Sequence, residues 1–401
     1  MKRRTLIQTA AMATLAGLTM TAGAFAQDVI TFGASAPKTG PLAGGSAVTH
    51  WPAIELWMHD VNARGGIDVG GTKMPVNIIE YDDGTVNENA IRNIQRLANV
   101  DNVDFLIAPY GTGINLATAP LIAQYGYPQI AVTAVTDGVD DFAARWPNSF
   151  WTLGTSKDTA QGIVDVLSDL RTRGVIGNRV AVVNVADAFG IELMNAGKPA
   201  LQAAGFEIVY ETSYPLDQQD FAPIIQAAAD AEPDAFVAFS YPPDTFGLSA
   251  QAAIADLKVG AFYCGVATAF PAYLGANGAA AEGVLGIGGV NINDPKMQAY
   301  IAHHQEVTGE LPDYWANPVV YASMEVMEQA ITRAGSLDKQ AVIDQIHNGT
   351  FETVMGTWTF DGNIIRDYYT VGQWQNGQFV AVGATSADLP VVQAEAKTGW
   401  K

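Results

Sequence analysis

Val103-Asp104-Phe105-Leu106-Ile107-Ala108, followed by Pro109-Tyr110-Gly111-Thr112-Gly113, is the stretch that decides the fold of this chain. Residues 103–108 are almost continuously apolar, as a strand is when both faces of a parallel sheet are covered. Pro109 and the two glycines stop that strand, and residues 113–125 read as a helix. Strand, short loop and helix form the repeating step of a doubly wound α/β layer.

Upstream, the alternation begins with the strand Val29–Ala34 and a helix over about 50–63, where Ile54, Trp57, Met58 and Val61 share one face. Val76–Tyr81 is the next strand. Residues 87–99 carry Ala90, Ile91, Ile94, Leu97 and Ala98 along one stripe, the pattern of an amphipathic helix. Downstream, Gln129–Val132 closes the first run. A second run follows Pro147-Asn148-Ser149-Phe150. Its helices are expected near 157–173, 189–204, 219–230 and 244–256. Its strands are expected near Val180–Asn184, Phe206–Glu211, Ala235–Phe239 and Ala261–Tyr263.

Two such runs predict two doubly wound α/β lobes, with right-handed crossovers laying helices on both faces of each sheet. Helices near 294–308 and 317–334 remain unassigned to either run. Beyond them, Thr357–Phe360, Thr370–Trp374 and Phe379–Val382 read as antiparallel strands, with Asn376-Gly377 as a two-residue hairpin turn.

Composition agrees with two cores. At 401 residues, 49% hydrophobic and 15% charged, the chain is folded and longer than one core usually serves. Cys264 is the sole cysteine, so no intramolecular disulfide can form and stability must come from packing. Lys2, Arg3 and Arg4, the apolar stretch Leu6–Gly23 and Ala24-Phe25-Ala26 match an export signal cleaved after Ala26. Arg3-Arg4-Thr5-Leu6-Ile7 fits either the general or the twin-arginine route. A soluble periplasmic protein without a lipid anchor is expected, since no cysteine lies near the cleavage site. The net charge is −20, and loss of three basic residues with the signal takes the mature chain to −23. That charge argues against nucleic acid and anionic membrane as partners, since both attract cationic surfaces.

Two loops at strand ends are candidate ligand sites, because open parallel sheets bind ligands outside their carboxyl ends. Pro109–Gly113 offers glycines, free N–H groups and the positive end of a helix, all suited to a carboxylate. Thr133-Ala134-Val135-Thr136-Asp137-Gly138 follows the next strand and adds hydroxyl and N–H donors. Either loop also reads as an ordinary polar β–α connection.

Enzyme motifs are missing: there is no G-x-S-x-G elbow, no Walker loop and no H-E-x-x-H. His303 and His304 are adjacent and point about 100° apart on a helix, so they read as solvated surface rather than as a metal pair. Gly283, Gly286, Gly288 and Gly289 read as a flexible hinge or turn. Asp82-Asp83-Gly84 lacks calcium-loop spacing and reads as charge at a helix N-terminus. No cofactor and no metal are expected, and the chain is expected not to be an enzyme.

Three fragments in order carry a resemblance. They are Pro37-Lys38-Thr39-Gly40-Pro41 after the first strand, Asp60-Val61-Asn62-Ala63-Arg64-Gly65-Gly66-Ile67 at the end of the first helix, and Tyr81-Asp82-Asp83 ending the second strand. Together they resemble the type I periplasmic binding proteins of branched-chain amino acid importers, over essentially the whole mature chain. The resemblance implies two Rossmann-like lobes joined by a three-crossover hinge. Lobe one would comprise 28–152 and 289–356, and lobe two 153–288 and 357–401, which gives the unassigned helices a place.

The same resemblance implies a monomer that closes on a small ligand and delivers it to an ABC permease in the inner membrane. Implied ligand-binding residues are Thr112, the segment Thr133, Ala134, Val135 and Thr136, then Asp158, Phe189 and Tyr241. Two departures stand out. A carboxylate that receives the ligand ammonium is replaced by Cys264-Gly265-Val266-Ala267, and an aromatic near Gly45-Ser46 is missing, which leaves more room. Asp158 or Asp187 is the substitute counter-charge. The expected cargo is therefore a branched-chain or hydrophobic amino acid, or a related small carboxylate or amide. A periplasmic sensor for a membrane receptor is the alternative, and a hydrolase on an α/β scaffold the less favoured one.

Overall fold

The computed structural model describes residues 29–400. The expected signal and its cleavage after Ala26 lie outside these residues. The first run contains β1 (Ile30–Ser35), α1 (Ala43–Thr49), α2 (Trp51–Ala63), the small hairpin β2 (Ile67–Val69) and β3 (Thr72–Met74), then β4 (Val76–Tyr81) and α3 (Asn87–Asn99). It continues with β5 (Phe105–Ile107), α4 (Thr112–Gln124), β6 (Gln129–Ala131), α5 (Val139–Arg145) and β7 (Ser149–Trp151). Strand β1 pairs in parallel with β4 on one side and β5 on the other. Strands β6 and β7 pair in parallel with each other.

The second run is α6 (Ser156–Thr172), β8 (Arg179–Val185), α7 (Ala188–Ala203), β9 (Glu207–Tyr214), α8 (Ala222–Asp230), β10 (Ala235–Phe239), α9 (Pro242–Ile254), β11 (Ala261–Cys264), α10 (Pro271–Asn277) and β12 (Val284–Ile287). The remainder is α11 (Pro295–Thr308), α12 (Ala316–Ala334), α13 (Lys339–Asn348), β13 (Thr350–Thr353), β14 (Gly356–Thr359), β15 (Tyr369–Gln375) and β16 (Gln378–Ala384). The larger sheet runs β16-β15-β12-β11-β10-β8-β9. Its strands β9, β8, β10, β11 and β12 are mutually parallel, and the order reverses between β8 and β10, a doubly wound arrangement with a switch point. The antiparallel pair β15–β16 finishes the sheet on β12, turning at Asn376-Gly377, both with positive φ as the hairpin turn requires.

The fold is therefore mixed α/β with parallel-strand sheets. Helices α11 and α12, left over in the sequence, pack on α2. Beneath them, Trp57 meets Phe32 edge-on at 5.2 Å and Phe32 meets Phe105 at 5.5 Å, all fully buried. Truncating such a ring to Ala costs about 3–5 kcal/mol.

Several expectations change. Gly283–Gly289 is not simply a hinge, because Val284–Ile287 is a buried strand. Gly286 belongs there since a Cβ would collide with the Thr268 side chain of the adjoining loop, whereas Gly288 and Gly289 do turn the chain with positive φ. Asp82 does not charge the start of α3. Its carboxylate instead accepts Lys38 N–H at 2.8 Å and Thr39 Oγ1–H at 2.7 Å, tying the β4 end to the loop after β1. His304 is not surface: it is buried and bonded to the Glu310 carbonyl at 2.8 Å, while His303 faces Asp60. The lobe boundary expected at 356/357 falls inside the β13–β14 hairpin, where Glu352 pairs Thr357.

Candidate ligand-binding cleft

Residues that follow β5, β6, β8, β10 and β11 come together around a common space. A narrow cavity opens there, lined by Thr49, Tyr110, Thr133, Ala134, Val135, Leu153, Phe189, Tyr241, Val266, Trp315 and Ala316. Five of these follow a parallel strand by two to four residues: Tyr110 after β5, Thr133 after β6, Phe189 after β8, Tyr241 after β10 and Val266 after β11. The cavity interior has room for only about 20 Å³, on the order of one water molecule, so an amino-acid-sized ligand enters only if the walls move apart.

Of the expected site residues, Thr133, Ala134, Val135, Phe189 and Tyr241 line the cavity. Phe189 and Tyr241 stack at 4.8 Å between ring centroids and form one wall. The Tyr241 hydroxyl is buried beside the Asp187 carboxylate, and burial, with that negative neighbour, pushes its pKa far up, so it stays neutral. Thr112, Thr136 and Asp158 are not among the lining residues. The Thr112 hydroxyl is engaged by Val135, accepting its N–H at 3.2 Å and donating to its carbonyl at 3.3 Å. Thr136 Oγ1 donates to Glu192 Oε1 at 3.1 Å. Asp158 lies in the first turn of α6, beside Tyr368 rather than in the cavity.

The N-terminus of α4 stands beside the cavity uncapped. Its N-cap is Gly111, at φ +91°, with no side chain to accept the orphan N–H groups. Those groups and the helix dipole favour an anion. Helix α7 differs, because Asp187 caps it by accepting Gly190 N–H at 3.2 Å. Asp187 is mostly buried, and burial raises its pKa. Its second oxygen faces Gly113 across the cleft, 4.0 Å from where a Cβ would stand.

The room expected at Gly45 is already filled. A Cβ there would fall on the Tyr110 phenol, which occupies the place left by the missing aromatic. Trp315 and Ala316 were not legible as site residues. Asp313 accepts the N–H groups of Trp315 at 2.7 Å, Ala316 at 2.6 Å and Asn317 at 3.1 Å, the signal of an acidic cap before an apolar helix. Its pKa is pushed up to about 7 by burial, against those three bonds. His50, next to Thr49, is wholly buried with both ring nitrogens unpartnered, and burial drives its pKa down to about 3.

Residues 29–378 match the family model described as periplasmic binding protein. The chain belongs to that family. Leu/Ile/Val-binding protein homolog 3 of Brucella melitensis is 25% identical over 363 residues, 88% of this chain and 93% of that relative. The solute-binding protein of an ABC transporter from Rhodopseudomonas palustris, solved with 3,4-dihydroxybenzoic acid, is 23% identical with a TM-score of 0.76, covering 92% of this chain and 99% of that one. LivJ of Streptococcus pneumoniae, solved with isoleucine, is 20% identical with a TM-score of 0.76, covering 89% and 99%.

The fold of this periplasmic binding protein is thus that of a solute-binding protein. Among its described residues no helix is long and apolar enough to cross a membrane. No ionisable carboxylate, lysine or arginine lines its cavity, where Val266 stands after β11.

Proposed function

We propose that this protein is the periplasmic solute receptor of an ABC importer and carries a small monocarboxylate with an apolar or aromatic body. The observation that carries this reading is the pairing of an uncapped α4 N-terminus with a cavity walled by Phe189, Tyr241, Val266 and Trp315. The helix end receives the carboxylate, and the rings cover the body. A free ammonium in this cavity has no charged side chain on its lining, and burying an unpaired charge is costly. The relatives solved with 3,4-dihydroxybenzoic acid and with isoleucine bracket this ligand class.

The reading takes the lobes as 28–152 with 289 to about 359, and 153–288 with the remainder, closing about three crossovers between them. It takes the mature protein as a monomer that starts at Gln27 and hands its closed form to the permease. It takes the protein as a carrier and not an enzyme, a reading supported by a cavity lining that includes no histidine or carboxylate. A thermal-shift screen of amino acids, aromatic acids, short carboxylates, ureas and amides tests the ligand class, since ligand at 100 times its Kd adds about 2.7 kcal/mol to stability. Aromatic or aliphatic monocarboxylates should raise the melting point most. A rise confined to α-amino acids would overturn the reading.

A further inference from the structure

His59 and Asp60 sit near the end of α2, and His303 near the middle of α11. Asp60 Oδ1 is 3.1 Å from His59 Nδ1 and 2.8 Å from His303 Nε2. All three atoms lie within 4.8 Å of one another. Asp60 is only 9% exposed, and its other oxygen, Oδ2, accepts the Tyr321 hydroxyl at 2.7 Å. Behind the His303 ring, Nδ1 faces Glu306 Oε2 at 3.9 Å. The nearest guanidinium, Arg64, is paired with Glu328 at 2.9 Å.

We propose that His59, Asp60 and His303 bind one divalent transition-metal ion of the zinc class. Two imidazole nitrogens and one carboxylate oxygen suit zinc, nickel or copper, whereas calcium and magnesium prefer all-oxygen sites. A tetrahedral zinc ion with bonds of about 2.0–2.2 Å holds its ligand atoms about 3.3 Å apart, so the two short edges open by a few tenths of an ångström and the edge between the two rings, up to 4.8 Å, closes by rotation of the partly exposed rings. Both rings are partly exposed, which leaves the fourth position to water.

The surroundings already supply the orienting contacts of a metal site. In the metal-free protein each imidazole can point one N–H at Asp60. On binding, each ring takes its other tautomer, freeing a lone pair for the ion. The proton of His59 then sits on Nε2, open to water, and that of His303 on Nδ1, facing Glu306. A carboxylate behind a ligating imidazole fixes its orientation and raises its basicity. Tyr321 does the equivalent for Asp60, holding Oδ2 so that Oδ1 faces the two rings. The ion would fasten α11 to α2.

Calorimetry with zinc chloride on untagged mature protein tests this, beside His59→Ala, His303→Ala and Glu306→Ala. Both rings are partly exposed, so the histidine variants should fold and melt near the unsubstituted protein in the presence of a chelator. One saturable zinc site per chain is expected, weakened at least 10-fold by either histidine variant and severalfold by Glu306→Ala. Magnesium and calcium chlorides should give no comparable heat. Absence of saturable zinc binding would overturn the proposal, and so would zinc binding that both histidine variants leave unchanged, as diffuse uptake by surface carboxylates would give.

Discussion

Glu192 on α7 takes a hydrogen bond from the Thr136 hydroxyl at 3.1 Å, across the mouth of the cleft. Its other carboxylate oxygen accepts Asp137 N–H at 3.0 Å and Ser156 Oγ–H at 3.1 Å. One carboxylate thus joins the loop after β6, the start of α6 and the helix after β8. In the proposed two-lobe arrangement the contacts to Thr136 and Asp137 cross between the lobes, so opening would break those two.

Glu192→Ala should therefore speed ligand release more than it slows capture. The bonds are to a charged group but partly open to water, so about 1–2 kcal/mol is at stake, or roughly a 5- to 30-fold rise in Kd. Stopped-flow release rates check it. An unchanged off-rate would mean that Glu192 plays no part in closure.

Removing the aromatic wall should cost more. Phe189→Ala takes away a ring that is 3% exposed and stacked on Tyr241, and part of that packing is present before ligand arrives. A loss of about 10- to 100-fold in affinity is expected from burial and stacking together. Calorimetry on the ligand found by screening reads it directly, with circular dichroism to show that the variant is folded.

The glycine at 45 gives a steric test. Gly45→Ala places a methyl group on the Tyr110 phenol and close to Pro242, which opens α9. Either Tyr110 swings into the cavity or α1 and α9 move apart, and both outcomes weaken ligand. Affinity should fall at least 10-fold while the far-ultraviolet spectrum stays unchanged. Retained affinity would show that Tyr110 has another place to go.

His50 sets a pH dependence with a definite sign. Its pKa is about 3 in the folded protein against 6.5 when free, so the unfolded chain binds a proton that the folded one refuses. Its share of stability is whole above pH 6.5 and falls by about 1.4 kcal/mol per pH unit below it, down to pH 3. Asp83, pushed up to about 6 by burial, and Asp244, pushed up to about 7, act the other way and add stability as pH falls through those values. His50→Leu removes only the first effect. Between pH 7 and pH 5 it should lose about 2 kcal/mol less than the unsubstituted protein in urea titrations. Parallel curves would show that His50 finds a proton acceptor in the folded state.

Much of this architecture was legible from sequence, and the misses have physical causes. The buried strands of both runs announce themselves because Phe105-Leu106-Ile107 and Ala235–Phe239 are apolar on both faces. Val284–Ile287 hid because Gly286 and the following glycines look like a turn, although the first is there to admit Thr268. Phe189 and Tyr241 could be inferred from the family pattern. Trp315 could not, because it reaches the cavity from a segment nearly 50 residues beyond Val266, and only tertiary packing brings it there. The metal-like cluster was missed by looking for partners of His303 along its own helix, when they lie on α2.

The central claim is that the cavity holds a carboxylate without providing for an ammonium, and paired calorimetry with leucine and 4-methylpentanoate tests it most directly. The two differ only in the α-amino group, and a charge-assisted contact to that group is worth about 1.5–3 kcal/mol, or roughly 10- to 150-fold. The expected result is that 4-methylpentanoate binds at least as tightly as leucine, and that Asp187→Asn, which keeps the α7 cap, changes neither. Tight leucine binding that is lost in the des-amino analogue and in Asp187→Asn would contradict the claim and make Asp187 the ammonium partner.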